Sequence, residues 1–410
     1  MKQVAHKRRR NIKNHFTISR SGVITGAADN DPAGIATYLQ VGATTGFSLL
    51  WLVPVITPLV IAVEEMSARV GVVTKRGLSR VIRERYGPAA AYLAAAIVLI
   101  CNIATIAANI GAMAEILSVF TGLNDLWFVF IITAILIFLL VTKGYEALSR
   151  YLIFTTLVLL LYIVAGFMMR PEWGTVLAHV FAPVFKLDNI FLLAAVGFIG
   201  TTISPYLLFW QATAEVEDKK TVADLRNEAG GVITGFLYAN IVAFFIMLTA
   251  ALTFVGHGLI PTTTQAALAL KPLAGHLAFV FFSVGILGSG MLGIPVLAAS
   301  TAYVGAEAFQ INAGISRTFR QARGFYVILI SALVASGLLA FVKLAPMLML
   351  LYSQVLNGVL TPVLIIILLL LTNNSKIMGK HTNGFWSNLL GMAALVLMLG
   401  FDIALLLTYF

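Results

Sequence analysis

Two long apolar segments of this chain are interrupted by proline and small polar residues. The sequence GAADNDPAG interrupts the first at residues 26–34, and GTTISPY interrupts the second at residues 200–206. In hydrocarbon, a backbone freed from helical hydrogen bonds is tolerated only where it lines a cavity or is buried in protein. Paired interruptions at matching places in two halves of a chain are typical of a transporter whose substrate binds near the bilayer midplane. The two carboxylates in the first interruption indicate a cation as the substrate.

The composition predicts an all-α polytopic membrane protein. The chain is 60% hydrophobic and 11% charged, and it contains many apolar stretches of the ~20 residues that a membrane-spanning helix needs. Its single cysteine, Cys101, excludes an intrachain disulfide and a cysteine metal cluster. Eleven spans are predicted, the first and sixth of them broken, at residues 16–46, 48–70, 88–119, 126–143, 147–169, 188–218, 230–255, 274–311, 324–342, 345–371 and 385–409.

The net charge of +10 is explained by topology rather than by a nucleic-acid interface. With the N-terminus inside, 23 of the 27 lysines and arginines fall on the predicted inner side; the others are Arg170, Lys186, Lys271 and Lys343. This asymmetry fits the positive-inside rule. It predicts an N-in, C-out protein whose partner is the lipid bilayer and not a nucleic acid.

The order of the spans predicts an inverted repeat. Spans 1–5 and 6–10 each begin with a broken helix, and because five is odd, the two units start on opposite sides of the membrane. Residues 1–410 are thus expected to form one transmembrane domain. Its parts are a first repeat at about 16–169, a second repeat at about 188–371 and an extra helix at about 385–409.

Several motifs resemble those of the Nramp family of divalent-metal transporters, and they occur in the same order. They are Asp31-Pro32-Ala33-Gly34 in the first break, SARVGVVT at 67–74, Ser353-Gln354-Val355-Leu356 with Thr361-Pro362 in span 10, and Met378-Gly379 after it. The resemblance implies a LeuT-like fold with a five-plus-five inverted repeat and eleven or twelve spans. It also implies import of Mn²⁺ or Fe²⁺ together with protons.

The departures from the family pattern carry more information than the match. Gly34 stands where classical members have an Asn, Ser204 replaces a Met, and Tyr206 replaces a His. Alignment of span 3 places Thr105 and Ala108 where the family usually has an acid pair in its proton route. The pattern resembles the Nramp-related branch that includes Mg²⁺ transporters.

The chemistry of these departures favours a hard cation. A thioether selects Mn²⁺ and Fe²⁺ over Mg²⁺, and a serine hydroxyl does not; loss of the Asn side chain also widens the cavity. Such a site suits Mg²⁺, which retains several of its waters. The expected metal site comprises Asp31, the Ser204 hydroxyl, the carbonyls of Ala28 and Thr201, the space at Gly34, and Asp29 and Asn30 as additional candidates.

Structural roles are the alternatives for several of these residues. Asp29 could cap the half-helix that follows the break. Ser204 and Thr201 could satisfy backbone groups at the second break, and Tyr206 is expected to pack rather than to gate.

A second group is expected to line the vestibules or to gate them. Gln211 and Glu215 lie four residues apart, hence on one helix face; Glu215 would attract cations or pair with Lys219 and Lys220. Glu64 would face the inner vestibule or, with Glu65, pair with Arg69. The full set is Glu215, Gln211, Tyr206, Gln354, Asn357 and Glu64.

The sequence therefore predicts import of Mg²⁺, Mn²⁺ or both by alternating access, in which spans 1, 2, 6 and 7 rock against the rest. Tight proton coupling is not expected, and neither is a cofactor; the protein is expected to work as a monomer in a bacterial inner membrane. The alternatives are a classical H⁺-coupled Mn²⁺/Fe²⁺ symporter, an organic-substrate symporter on the same fold, and a membrane sensor. No catalytic motif indicates an enzyme.

Overall fold

A computed structural model describes residues 20–142, 158–254, 258–260, 262–342 and 344–408. The regular elements of these residues are all helices. The longer helices are α1 (Arg20–Asp29), α2 (Pro32–Thr45), α3 (Leu52–Thr74), α4 (Leu78–Thr121), α5 (Asp125–Thr142), α6 (Leu160–Met168), α7 (Trp173–Phe181), α8 (Asn189–Thr202), α9 (Pro205–Glu217), α10 (Leu225–Phe254), α11 (Ala278–Ala308), α12 (Arg323–Leu339), α13 (Pro346–Thr372) and α14 (Phe385–Leu407). Single turns connect some of them, at Val222–Asp224, Thr263–Ala266, Ala267–Leu270, Lys271–Ala274, Gly275–Leu277, Ser375–Met378 and Gly379–His381.

In the described part of the chain, seven helical segments are long and apolar enough to cross a membrane. The first part of the predicted fifth span, at 147–157, lies outside the described residues, as does the start of the first at 16–19. The count of eleven spans, the repeat boundaries and the N-in orientation stay predictions.

Both predicted helix breaks are present. Helix α1 ends at Asp29 and α2 begins at Pro32, with Asp31 as an extended N-cap whose side chain accepts a bond from the Gly34 N–H. Helix α8 ends at Thr202, and α9 begins at Pro205 after an extended Ser204. A proline suits the first turn of a helix because the N–H it lacks would have no partner there. The broken helices 1 and 6 are thus confirmed.

Glycines bring the broken helices against their neighbours. Gly22 and Gly26 of α1 lie on the backbone of α10 around Gly235, and Gly200 of α8 lies on the backbone of α13 at Gly358. A methyl group at any of these positions would collide with backbone atoms. Small residues allow such approaches between membrane helices, so these glycines have a packing role at the two half-helices.

Helix α4 begins ten residues earlier than the start predicted for span 3, at Leu78 rather than residue 88. The first turns of α4 are polar and lie before a kink at Gly87, so the apolar pattern did not include them. There φ is +85°, a value that favours glycine, and Pro88 follows. The Glu307 carboxylate accepts the Arg80 N–H at 3.2 Å and so caps the start of α4.

Candidate cation site

The centre of the site is the Asp31 carboxylate, held from two sides. Its Oδ1 accepts the Gly34 N–H at 2.8 Å, and its Oδ2 accepts the Asn109 side-chain N–H at 2.8 Å. Asp31 is 2% exposed, and both partners are neutral. The structure therefore places at the junction of α1, α2 and α4 an orientated carboxylate that forms no salt bridge with any described residue.

Asn109 is the functional candidate that the sequence reasoning missed. The alignment pointed to Thr105 and Ala108, but the Thr105 hydroxyl donates to the Cys101 carbonyl at 3.0 Å of its own helix. The residue that reaches Asp31 comes one helical turn after Thr105. An Asn in an otherwise apolar stretch was the available signal, since buried amides in membranes need partners.

Gly34 lies where the two breaks meet. A Cβ atom at this position would be 2.6 Å from the Asp29 carbonyl oxygen and 3.2 Å from the Thr201 hydroxyl oxygen. The structure thus brings Asp31, Gly34 and Thr201 together, as the sequence predicted. Gly293 of α11 adds a second glycine at the site, since a Cβ there would be 2.8 Å from the Asp31 Cβ.

The carbonyls expected to bind the cation already accept hydrogen bonds. The Tyr206 hydroxyl donates to the Ala28 carbonyl at 3.1 Å. The Ser204 hydroxyl donates to the Thr201 carbonyl at 2.6 Å and to the Gly200 carbonyl at 3.0 Å. Ser204 therefore satisfies the backbone at the break. Tyr206 is buried, and its hydroxyl also links the two breaks, while its expected packing role stays a prediction. Each carbonyl keeps a second lone pair for a ligand.

Asp29 and Asn30 are buried in the first break with their polar atoms unsatisfied. Asp29 is 1% and Asn30 0% exposed, and neither side chain has a hydrogen-bond partner within the described chain. The prediction that Asp29 could cap the following half-helix is wrong, because Asp31 occupies the N-cap. Burial of an unpaired polar group is costly, so these two side chains need an explanation beyond folding.

Glu64 of α3 is also buried with its polar atoms unsatisfied. It is fully buried, and both carboxylate oxygens lack a hydrogen bond to any described residue. Arg69 instead pairs with Glu65 at 3.0 Å and donates to the carbonyl of His381 at 3.0 Å and to that of Thr382 at 3.2 Å. The alternative that Glu64 pairs with Arg69 is therefore wrong, and the one for Glu65 is confirmed.

Gln211 and Glu215 form a short buried network in α9. The Gln211 side-chain N–H donates to Glu215 at 2.6 Å, and Gln211 accepts the Thr25 hydroxyl of α1 at 2.6 Å. Glu215 is fully buried here rather than on an open vestibule. Lys220 pairs with Glu228 at 2.7 Å. Burial works against the charge on Lys220, but the hydrogen bond and charge of Glu228 outweigh it and raise the pKa of Lys220.

Gln354 and Asn357 face each other on α13. The Asn357 side-chain N–H donates to Gln354 at 2.8 Å, and the Gln354 N–H donates to Ser353 at 3.2 Å. The structure places this pair beside α8, since Gly200 lies on the Gln354 carbonyl, and gives it no hydrogen bond to Asp31.

The site is closed in this conformation. Every predicted site residue is buried, and across the described ranges no three His, Cys, Asp or Glu side chains converge to hold a metal ion. Two buried helix breaks with buried carboxylates between them are typical of a membrane transporter.

The overall fold matches transporters with the same broken-helix architecture. A manganese transporter of Eremococcus coleocola superposes with a TM-score of 0.72 at 18% identity, covering 95% of this chain and 85% of its own. MhsT in complex with L-phenylalanine superposes with a TM-score of 0.61 at 14% identity, covering 95% and 98%. The protein thus has the LeuT-like fold of these transporters.

Sequence comparison assigns the family. The profile described as "Natural resistance-associated macrophage protein-like" matches residues 22–408. A "Divalent metal cation transporter MntH" of Verminephrobacter eiseniae is 26% identical, covering 100% of this chain and 93% of its own length. A protein with the same name from Pectobacterium carotovorum subsp. carotovorum is 28% identical, covering 92% of this chain and 90% of its own length. The chain belongs to the Nramp family, which comprises transporters and not enzymes, and it is a multi-pass protein of the bacterial plasma membrane.

Proposed function

We propose that the protein imports divalent cations, Mg²⁺ foremost, and that Asp31 is the carboxylate that binds them. The observation that carries this proposal is the setting of Asp31, a buried carboxylate whose hydrogen-bond partners, Gly34 and Asn109, are both neutral. An ionisable residue inside a membrane marks an ion pathway by default. Bacterial relatives named divalent metal cation transporters support the same reading.

The preference for Mg²⁺ follows from the donor atoms around Asp31. The nearby groups are hydroxyls and carbonyls, among them the Thr201 hydroxyl and the Ala28 carbonyl. Oxygen donors suit Mg²⁺, and a roomy site allows the ion to keep several waters. Gly34 provides that room once the inner half-helices move apart.

Uptake is not tightly coupled to protons. The side chain that α4 offers to Asp31 is the Asn109 amide, which does not titrate. The inside-negative membrane potential supplies about 4.6 kcal/mol for a divalent ion at 100 mV. This driving force accumulates Mg²⁺ without a second ion.

Alternating access requires the inner half-helices to move. The Thr25–Gln211 hydrogen bond joins α1 to α9, and the Ser67 hydroxyl of α3 donates to the Leu208 carbonyl of α9. These bonds make α1, α3 and α9 one unit on the inner side. We expect this unit to swing away from α4 and α11 when the cation leaves.

One observation favours the alternative of an H⁺-coupled Mn²⁺ symporter. A Cβ atom placed on Gly290 of α11 would touch the Met113 sulfur of α4 and would lie 3.2 Å from a ring carbon of Pro32. Met113 follows Asn109 by one turn, so it lies on the same face of α4. A thioether at this place would favour Mn²⁺, as would the methionine that classical family members have where this chain has Ser204.

The deciding experiment is uptake by proteoliposomes that contain a pH dye, with Mg²⁺ or Mn²⁺ outside and a potassium-diffusion potential. We expect Mg²⁺ entry without acidification, and its loss in Asp31→Asn. Asp402→Asn, which alters another buried membrane aspartate, is the matched control and should transport normally. Mn²⁺ entry with acidification and no Mg²⁺ flux would overturn the proposal; Met113→Leu would then lower Mn²⁺ selectivity. Stabilisation by organic amines without metal flux would indicate an organic substrate.

A further inference from the structure

Asp29 and Glu64, here called the inner pair, are two buried carboxylates that the Asp31 site does not use. Asp29 is 1% and Glu64 0% exposed, and none of their four oxygens has a hydrogen-bond partner in the part of the chain that the structure describes. Asp29 lies within electrostatic range of both Asp31 and Glu64. A folded protein seldom buries such groups without a ligand or a counter-ion.

The register of α3 against α9 points Glu64 at the second break. Ser67 contacts the Leu208 carbonyl, and Gly71 lies on the Ala212 carbonyl four residues further along both helices. Glu64 is one turn before Ser67 on the same face of α3, because residues 64, 67 and 71 follow the helical repeat. It therefore lies level with Pro205, where α9 begins.

Asp31 and Asp29 belong to one break but face different partners. The oxygens of Asp31 face Gly34 and Asn109. The Tyr38 hydroxyl lies near Asp29 and also near Thr201 and Thr202; it is fully buried and reaches hydrogen-bond geometry with no described residue. An unsatisfied buried hydroxyl beside an unsatisfied buried carboxylate is a second sign of a missing ligand.

In the described ranges, no basic side chain forms a salt bridge with the inner pair. The salt bridges among the described residues involve Glu65, Glu84 and Glu228 as acids, and the nearby Arg69 is engaged by Glu65. Asp29, Asp31 and Glu64 also do not converge on one point in the described structure. A single ion therefore does not contact all three carboxylates in this conformation.

We propose that Asp29 and Glu64, with the Tyr38 hydroxyl, form a second divalent-cation subsite on the α3 side of the Asp31 site. Two carboxylates balance one divalent ion, and the hydroxyl adds a neutral oxygen donor. The subsite lies between the Asp31 site and the Gln211–Glu215 network, so the ion passes through it toward the cytoplasm. This inference rests on the proposed cation transport and adds a step to it.

The test is Mn²⁺ binding to the purified full-length protein, measured by equilibrium dialysis and by electron paramagnetic resonance. We expect two Mn²⁺ per chain at saturation, the second bound more weakly, with dipolar broadening between them. Glu64→Gln should bind one Mn²⁺ with the broadening lost, and so should Asp31→Asn. Glu65→Gln, the same change at the neighbouring residue that pairs with Arg69, should still bind two.

The outcomes separate this inference from the proposed function. One Mn²⁺ in the wild type and an unchanged Glu64→Gln variant would refute the second subsite while leaving the Asp31 site intact. No Mn²⁺ or Mg²⁺ binding to the wild type would overturn both. Because Glu64→Gln is expected to retain one ion, its remaining site reports that the variant is folded.

Discussion

The contact between Asn109 and Asp31 gives the sharpest prediction, because it is a single hydrogen bond to the carboxylate proposed to bind the cation. Replacing Asn109 by Ala removes the 2.8 Å bond to Oδ2 and leaves the carboxylate with the Gly34 N–H as its remaining hydrogen-bond donor. A hydrogen bond to a charged group contributes about 1.5–3 kcal/mol. If that bond orientates Asp31 for the cation, its loss weakens binding roughly 10- to 150-fold.

The assay is Mg²⁺ affinity by isothermal titration and KM by proteoliposome uptake. Asn102→Ala is the matched control, since Asn102 is a buried asparagine of the same helix. It donates to Thr301 at 2.8 Å and to the Leu297 carbonyl at 3.2 Å, away from Asp31. Both variants should lose thermal stability, whereas only Asn109→Ala should lose affinity.

Equal Mg²⁺ affinity in Asn109→Ala and wild type would refute the argument that Asn109 orientates the ligand. Equal loss of affinity in both variants would also refute it, because the effect would then come from weakened packing of α4 rather than from Asp31.

Three further predictions follow from single contacts. Gly26→Ala forces a methyl group onto the backbone of α10 and should lower stability by about 1–3 kcal/mol; thermal unfolding measures it, and Gly230→Ala, which meets open space, should be neutral. Tyr206→Phe removes the bond to the Ala28 carbonyl, worth about 0.5–1.5 kcal/mol, so KM for Mg²⁺ should rise by up to roughly tenfold; a KM equal to that of wild type would contradict this. Arg69→Gln releases the loop after α13, and hydrogen exchange should quicken there; unchanged exchange would show that other contacts hold the loop.

Some features of the site could be predicted because they are local. A proline after a short polar residue sets the start of a half-helix, so both breaks could be placed from the sequence alone. The spacing of Gln211 and Glu215 fixed their contact, since residues four apart share a helix face. Gly34 and Thr201 meet because the two breaks meet.

Other features could not be predicted because they depend on how helices rotate against each other. One helical turn separates Thr105 from Asn109, and only packing of α4 on α2 decides which of them reaches Asp31. Glu64 and Glu65 are neighbours in sequence, yet one pairs with Arg69 and the other is buried without a partner. A rotation of about 100° per residue separates these outcomes.

The sequence by itself determined the class of protein and the two broken helices, because apolar length and proline act locally. The tertiary structure decided which polar atoms are satisfied. It gave Asp31 two donors, gave the Ala28 and Thr201 carbonyls hydroxyl donors from Tyr206 and Ser204, and left Asp29 and Glu64 without a hydrogen-bond partner among the described residues. The Asn109–Asp31 and Tyr206–Ala28 contacts join helices far apart in the chain, and interhelical register depends on the packing of the whole bundle rather than on any one segment.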